Sequence, residues 1–307
     1  TGRRAAERTN ASTTGLLDLD GRGWNYALIE RLGLPRGVFS ELIDAGATLG
    51  TLTNDMAREL GLSPSTVVTA VGSHDTASAV LAVPSTTEDF AYISCGTWGL
   101  VGVELDAPIL TEASRLANFT NEGGVDGRVR FLHNVMGTWL LSESMRTWQT
   151  DDLAGLLAAA TAVTAEVAIF DADDARFLAP GDLPTRIADY CRERGLPVPQ
   201  DRAEYVRSIV ESLAATFAQT VQLASDLSGT RVEVVHLVGG GSQNELLCQL
   251  TANRCGRPVL AGPTEATAFG NVLVQARALG LVTGSIESLR ALVAANVPVR
   301  RYLPERG

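Results

Sequence analysis

A long amphipathic helix running straight into an apolar strand constrains this chain more than any other feature. Val206, Ile209, Val210, Leu213, Phe217, Val221 and Ala224 recur at i, i+3, i+4 spacing and predict one buried helical face over 202–227. Asp201 and Glu204 have capping-box spacing, and Gly229 is placed to end the helix. The run 232–238 is almost continuously apolar, which suits a strand covered on both faces. A helix over 244–254, a short strand over 258–260 and a last helix over 265–280 follow.

Upstream, 90–94 and 100–105 read as strands around the turn Cys95-Gly96-Thr97-Trp98-Gly99. The segments 116–121 and 128–132 read as a second pair, and 135–148 reads as a helix. The segment 150–200 is alanine-rich and then broken by Pro, Asp and Gly, as in an insertion with one short helix. Strands first, then alternating helix and strand, make this an α/β layer around a mixed sheet.

Composition excludes several chemistries. All 25 basic side chains are arginine, so no lysine is present to act as a phosphate-loop or Schiff-base residue. A net charge of −10 argues against nucleic acid and anionic membrane as partners. Cys95, Cys191, Cys248 and Cys255 form no C-x-x-C pair, and His74, His133 and His236 are scattered, so zinc spacing is absent. Four such cysteines suit reduced, mostly buried thiols. With neither an apolar signal core nor a run of about 20 apolar residues, the expectation is a cytoplasmic protein. Its oligomeric state stays open. The Asp-rich stretches at Asp18 and Asp171 fail as calcium loops, with Arg22 and Ala175 at the fifth positions.

Three stretches carry candidate chemistry. The first, VGSHDTASAVLAVP from Val71, follows a β-branched run over 66–70 that reads as a buried strand. Ser73 is placed to cap a following helix of small and apolar residues, with Asp75 in its first turn. A carboxylate at a strand-to-helix corner, beside the His74 imidazole, suits a general base for a hydroxyl nucleophile. The competing reading makes Asp75 only a support for the cap.

The second is the hairpin at Gly96 and Thr97, where backbone N–H groups and the Thr97 hydroxyl could approach an anion. A plain hairpin turn explains it equally. The third is VGGGSQN, with Gly239, Gly240 and Gly241 after a buried strand and Asn244 at a helix start, a context that suits nucleotide binding. It is no phosphate-binding loop, lacking G-K-[ST]. Asn244 takes the place of the third glycine of a dinucleotide fingerprint, leaving an oxidoreductase only as a weak alternative. His133-Asn134 ends a strand, and His236 reads as a core histidine.

Taken together, TNASTT at Thr9, GSHDTASAV, ISCGTWGLVG, NFTNEGG, NVMGTWLL, VGGGSQN and AGPTEATAFGN resemble the FGGY carbohydrate kinases. That resemblance implies a ribonuclease H-like fold of the actin/hexokinase/Hsp70 type and a family division into 1–84 and 85–307. The first part would be the tail of the sugar-binding N-terminal domain and the second a complete nucleotide-binding C-terminal domain. It further implies ATP and Mg²⁺, and a sugar as the small-molecule partner.

In residue terms, Asp75 matches the catalytic base and His74 a substrate contact. Gly96, Thr97, Asn134, Gly239, Gly240, Gly241 and Asn244 match nucleotide-site positions, and no residue is assigned to metal. Ser142 stands where the family pattern has a glutamine near the nucleotide. His74 favours the branch that phosphorylates L-rhamnulose to its 1-phosphate, another ketose or polyol being the alternative. The resemblance also implies that a phosphate-binding hairpin and much of the sugar site precede this sequence. The 307 residues alone are therefore expected to be inactive, or to be a non-catalytic nucleotide-binding remnant.

Overall fold

The chain opens with β1 (Ala6–Glu7), α1 (Arg8–Ser12), α2 (Tyr26–Arg31), β2 (Leu42–Ile43), β3 (Thr48–Thr51), α3 (Asn54–Leu60), β4 (Val67–Thr69) and α4 (Asp75–Leu81). Next come β5 (Phe90–Cys95), β6 (Trp98–Leu105), α5 (Glu112–Leu116), β7 (Thr120–Gly123) and β8 (Val129–Met136). Four helices follow: α6 (Trp139–Trp148), α7 (Leu153–Thr161), α8 (Leu183–Arg194) and α9 (Arg202–Ser228). The chain closes with β9 (Val234–Val238), α10 (Glu245–Cys255), β10 (Val259–Ala261), α11 (Ala266–Ala278), α12 (Ile286–Asn296) and β11 (Arg300–Tyr302).

This computed structural model describes residues 1–305, and two units interleave along the chain. Unit 1 gathers Thr1–Thr86, Glu104–Phe131 and Glu265–Val297; unit 2 gathers Thr87–Val103, Leu132–Thr264 and the chain from Pro298.

In unit 2 the strand order is β11-β10-β9-β5-β6-β8. The three middle strands β10, β9 and β5 are parallel, with Leu260 opposite His236 and Ser94 opposite Val238. The hairpin β5–β6 and the edge pair β10–β11 are antiparallel. All seven apolar residues of the predicted α9 face are fully buried, the six larger ones each worth about 1.5–3 kcal/mol relative to exposure. Asp201 accepts from the Glu204 N–H, while Glu204 turns to the Gln200 N–H instead of closing the box on Asp201. Gly229 ends the helix in the left-handed region.

Three expectations along this part of the chain need correction. Val135 and Met136 finish β8 rather than start a helix, and α6 begins only at Trp139. The segment 150–200 holds two regular helices, α7 and α8. Pro184 sits in the first turn of α8, where no N–H partner is required, so it marks a helix start rather than a break. The chain also does not end its regular structure at residue 280, because α12 and β11 follow.

In unit 1, β1 and β2 pair in parallel, and β3 and β4 form an antiparallel pair. The β-branched run 66–70 does form β4, but Val67 is exposed and its neighbours are half-buried, so the strand is not covered on both faces. Pairing at the edge of a two-stranded sheet leaves no second layer to bury it. The segment 116–121 is likewise shorter as strand: α5 ends at Leu116, and β7 starts at Thr120.

The small residues of α4 have a packing reason. Helix α11 crosses there so closely that a Cβ on Gly270 would lie 1.9 Å from the Ser78 carbonyl oxygen. Below the crossing, Leu81, Val125, Val274, Ile286 and Leu289 form the core. A buried Arg290–Glu104 pair at 2.8 Å ties α12 to the start of Glu104–Phe131.

Candidate functional site

Asp75 is the first residue of α4, and its side chain is 77% exposed. Its Oδ1 accepts from the Thr76 N–H at 2.6 Å and the Thr76 hydroxyl at 3.2 Å, while its carbonyl accepts from the Thr267 hydroxyl. The expected Ser73 cap is absent. His74 is the cap position and makes no side-chain cap bond, because the Ser73 hydroxyl is engaged elsewhere.

Ser73 donates through both its N–H and its Oγ to Glu7 Oε2, at 3.0 and 2.9 Å. Glu7 is buried, and it also accepts from the Thr9 N–H, the Thr9 hydroxyl and the Asn10 N–H. Thr9 Oγ1 in turn accepts from the His74 N–H at 3.2 Å. Ser12, from the same TNAS run, accepts from the Gly123 N–H at 2.8 Å. Three sequence motifs, TNAS, GSHD and NEGG, thus lock together around the corner that presents Asp75.

His74 is three-quarters buried. Its Nδ1 lies 2.8 Å from Arg130 Nη2 and 3.5 Å from Glu122 Oε2; its Nε2 lies 3.9 Å from Asp75 Oδ1. Arg130 has no solvent exposure, pairs with Glu122 at 3.0 Å and donates through Nε to the Gly123 carbonyl. Burial, and then the Arg130 charge, hold the His74 imidazole below its ordinary value, against the opposing pull of Glu122, Asp75 and Glu7. Glu7, Glu122 and Arg130 were not singled out from the sequence. Glu7 and Arg130 are charged residues outside any motif, Glu122 lies within NFTNEGG without a role read for it, and only tertiary pairing brings the three to His74.

In unit 2 the candidate loops gather at the carboxyl ends of the parallel strands. Because Ser94 lies opposite Val238, the hairpin after β5 and the glycine turn after β9 are neighbours. A Cβ on Gly239 would lie 2.8 Å from the Cys95 carbonyl oxygen, and one on Gly241 would lie 2.4 Å from Cys95 Sγ. Gly239 serves close backbone packing, and Gly241 leaves room for the Cys95 side chain. Gly240 differs, since a Cβ there would meet nothing within 4 Å.

Gly96 and Thr97 are exposed, but the Gly96 N–H is not free for an anion, because it donates to the Trp98 carbonyl at 2.8 Å. The carbonyls of Gly96 and Thr97 accept from the N–H groups of Thr138, Gly137 and Trp139, which brace the hairpin against the start of α6. Asn134 is exposed on β8 and Ser142 on α6. Asn244 is buried, and its side chain caps α10 at the Leu247 N–H. Burial pushes the Cys95 and Cys248 thiols up to about 12, so neither is a nucleophile. His236 is in the core, edge-on to Phe90. Among the described residues no helix is long and apolar enough to cross a membrane.

Solved sugar-kinase structures share this fold. The glycerol kinase of Plasmodium falciparum with ADP matches with a TM-score of 0.74 at 14% identity, over 99% of this chain and 60% of that one. The xylulose kinase of Rhodospirillum rubrum matches at 0.72 and 20%, over 99% and 61%. The fold is therefore the ribonuclease H-like α/β fold of these ATPases.

The family models for the N-terminal and C-terminal domains of the FGGY family of carbohydrate kinases match residues 1–82 and 91–279, and the chain belongs to that family. It is 43% identical over 304 residues to the rhamnulokinase of Pectobacterium atrosepticum and 41% identical over 305 to that of Bacteroides thetaiotaomicron. These alignments cover 99% of this chain but 60% and 62% of those proteins, so the chain spans about three fifths of their length.

Proposed function

We propose that the protein carrying this sequence transfers the γ-phosphoryl group of ATP to a hydroxyl of L-rhamnulose, giving the 1-phosphate. The observation that carries the reading is the Asp75 corner: an exposed carboxylate on a rigidly held backbone, directly beside a mostly buried imidazole. Asp75 takes the proton from the attacking sugar hydroxyl, and His74 contacts the sugar. Phosphoryl transfer asks little covalent chemistry of a protein and depends on positioning and electrostatics.

Thr97 and Asn134 would meet the phosphates, with Gly96 leaving the hairpin tip bare for their approach, and the Gly239–Gly241 turn the nucleoside, with Gly240 as the residue open to it. Asn244 would act there by holding the start of α10. Among the described residues no group of three or more His, Cys, Asp or Glu side chains could hold a metal. Mg²⁺ would be carried mainly by nucleotide phosphates and waters, where it would supply charge screening. The identity to rhamnulokinases over 99% of the chain supports L-rhamnulose as the sugar. The model matches to 1–82 and 91–279 support a family boundary near residue 84.

The test is sugar-dependent ADP release by the full-length protein with L-rhamnulose, D-xylulose and glycerol. L-Rhamnulose should show the highest kcat/KM. A clear preference for another sugar overturns the substrate assignment, and an ATP-binding protein that phosphorylates none of them overturns the kinase reading.

A further inference from the structure

Arg130 is the one fully buried arginine at the Asp75 corner, and its contacts are specific. We infer that Arg130 is a positioning residue that locks His74 in the neutral tautomer with its proton on Nε2, so that the imidazole offers the sugar a fixed N–H donor.

A guanidinium carries only donors and stays protonated in proteins. The 2.8 Å contact between Arg130 Nη2 and His74 Nδ1 therefore requires a lone pair on Nδ1. A neutral imidazole with its acceptor at Nδ1 has its proton on Nε2, the nitrogen that faces Asp75 at 3.9 Å. The guanidinium cannot turn away. Its Nη2 also meets Glu122 at 3.0 Å, its Nε donates to the Gly123 carbonyl at 3.0 Å, and the side chain has no solvent exposure.

The groups facing His74 from the surrounding elements are Arg130 on β8, Glu122 on β7, Asp75 on α4 and Glu7 at the end of β1. Three of them are carboxylates, which favour a second proton on the ring, while burial and then the arginine oppose it. An imidazolium beside Asp75 would weaken that carboxylate as a base, and with Nδ1 protonated it would face the guanidinium as donor against donor. The lock thus gives His74 one defined polarity toward a sugar oxygen. It rests on the reading of His74 as a sugar contact, but its first test does not.

That test is the ring ¹⁵N spectrum of His74 across a pH series, assigned by comparison with His74→Gln. The expected result is a protonated Nε2 and a bare Nδ1 near neutrality, with the second proton added only below the ordinary imidazole range. A proton on Nδ1, or titration at or above that range, overturns the inference.

Kinetics on the full-length protein supply the second test, using Arg130→Met paired with Glu122→Gln so that no charge is left buried alone. The sugar KM should rise about 10-fold or more, with the ATP KM little changed. The lower-pH inflection of kcat/KM for the sugar should move up relative to the wild type. An unmoved inflection in a folded double variant overturns the positioning role. If the tautomer is as expected but His74→Gln leaves the sugar KM unchanged, the lock stands and the sugar-contact reading falls.

Discussion

In unit 2 the candidate loops are held by backbone against backbone, whereas in unit 1 the candidate base is held by side chains. Gly239 and Gly241 are glycines because Cys95 leaves no room for a Cβ, and Gly137 because the Gly96 carbonyl would lie 2.5 Å from one. At the Asp75 corner the support is polar and distant in sequence: Ser73 reaches Glu7 across 66 positions, and His74 reaches Arg130 across 56. A site made of close backbone approaches tolerates changes of charge but not of volume. A site made of buried hydrogen bonds has the opposite sensitivity, because a buried polar group left without its partner costs about 1–3 kcal/mol.

The sharpest way to break this comparison is Asp75→Asn. The exposed carboxylate bonds only to Thr76 through its side chain, so an isosteric amide should leave the fold and the ATP affinity intact. Turnover should fall about 10²–10⁴-fold. Steady-state kinetics with nucleotide titration calorimetry checks both halves, and near-wild-type kcat would remove Asp75 from the mechanism.

This contrast also explains what could be read from the chain beforehand. The α9 face, the β9 run and the glycine turn are legible because periodicity and glycine placement are local properties of sequence. The corner was legible only as GSHD. Its supports Glu7, Glu122 and Arg130 come from separate segments and look like ordinary solvated charges until the fold buries them. The same limit produced the Ser73 error, since a serine before a helix reads as a cap unless a distant glutamate takes its hydroxyl. Pro184 misled for the opposite reason, a local signal being given the wrong one of its two meanings.

Within the glycine turn the comparison can be sharpened by two substitutions one residue apart. Gly241→Val drives a branched side chain into Cys95, an overpacking that costs about 1–3 kcal/mol or more. In a chain of this length that lowers Tm by about 2–4 °C per kcal/mol. A Cβ at Gly240 meets nothing within 4 Å, so in Gly240→Val Tm should hold while ATP affinity drops through contact with the nucleotide. Equal Tm losses would show that both glycines are there for packing, and unchanged ATP affinity in Gly240→Val would make the turn purely structural.

Glu7→Gln tests the polar half at nearly constant volume. Oε2 accepts from the Ser73 N–H, the Ser73 hydroxyl, the Thr9 hydroxyl and the Asn10 N–H, and an amide nitrogen in that position could accept none of them. A loss of about 1–3 kcal/mol in stability is expected, together with a higher sugar KM as the corner loosens. Thermal unfolding and sugar kinetics report the two separately. A stable variant with an unchanged KM would mean that the backbone alone positions Ser73 and His74.

The smallest effect is expected at Thr97, where the two modes of support meet in one residue. Its carbonyl is structural, accepting from the Gly137 and Trp139 N–H groups at 3.2 and 3.1 Å. Its side chain is exposed at the hairpin tip. Since the Gly96 N–H is already spent on the Trp98 carbonyl, the Thr97 hydroxyl is the hairpin donor best placed to meet a phosphate. Thr97→Ala removes that hydroxyl and leaves the backbone bonds of the hairpin in place. Tm should therefore stay unchanged while ATP binds about 2–10-fold more weakly, the equivalent of one net hydrogen bond of about 0.5–1.5 kcal/mol. A fall in Tm without a change in affinity would reverse the assignment, making the hairpin a brace for α6 and leaving phosphate recognition to other residues.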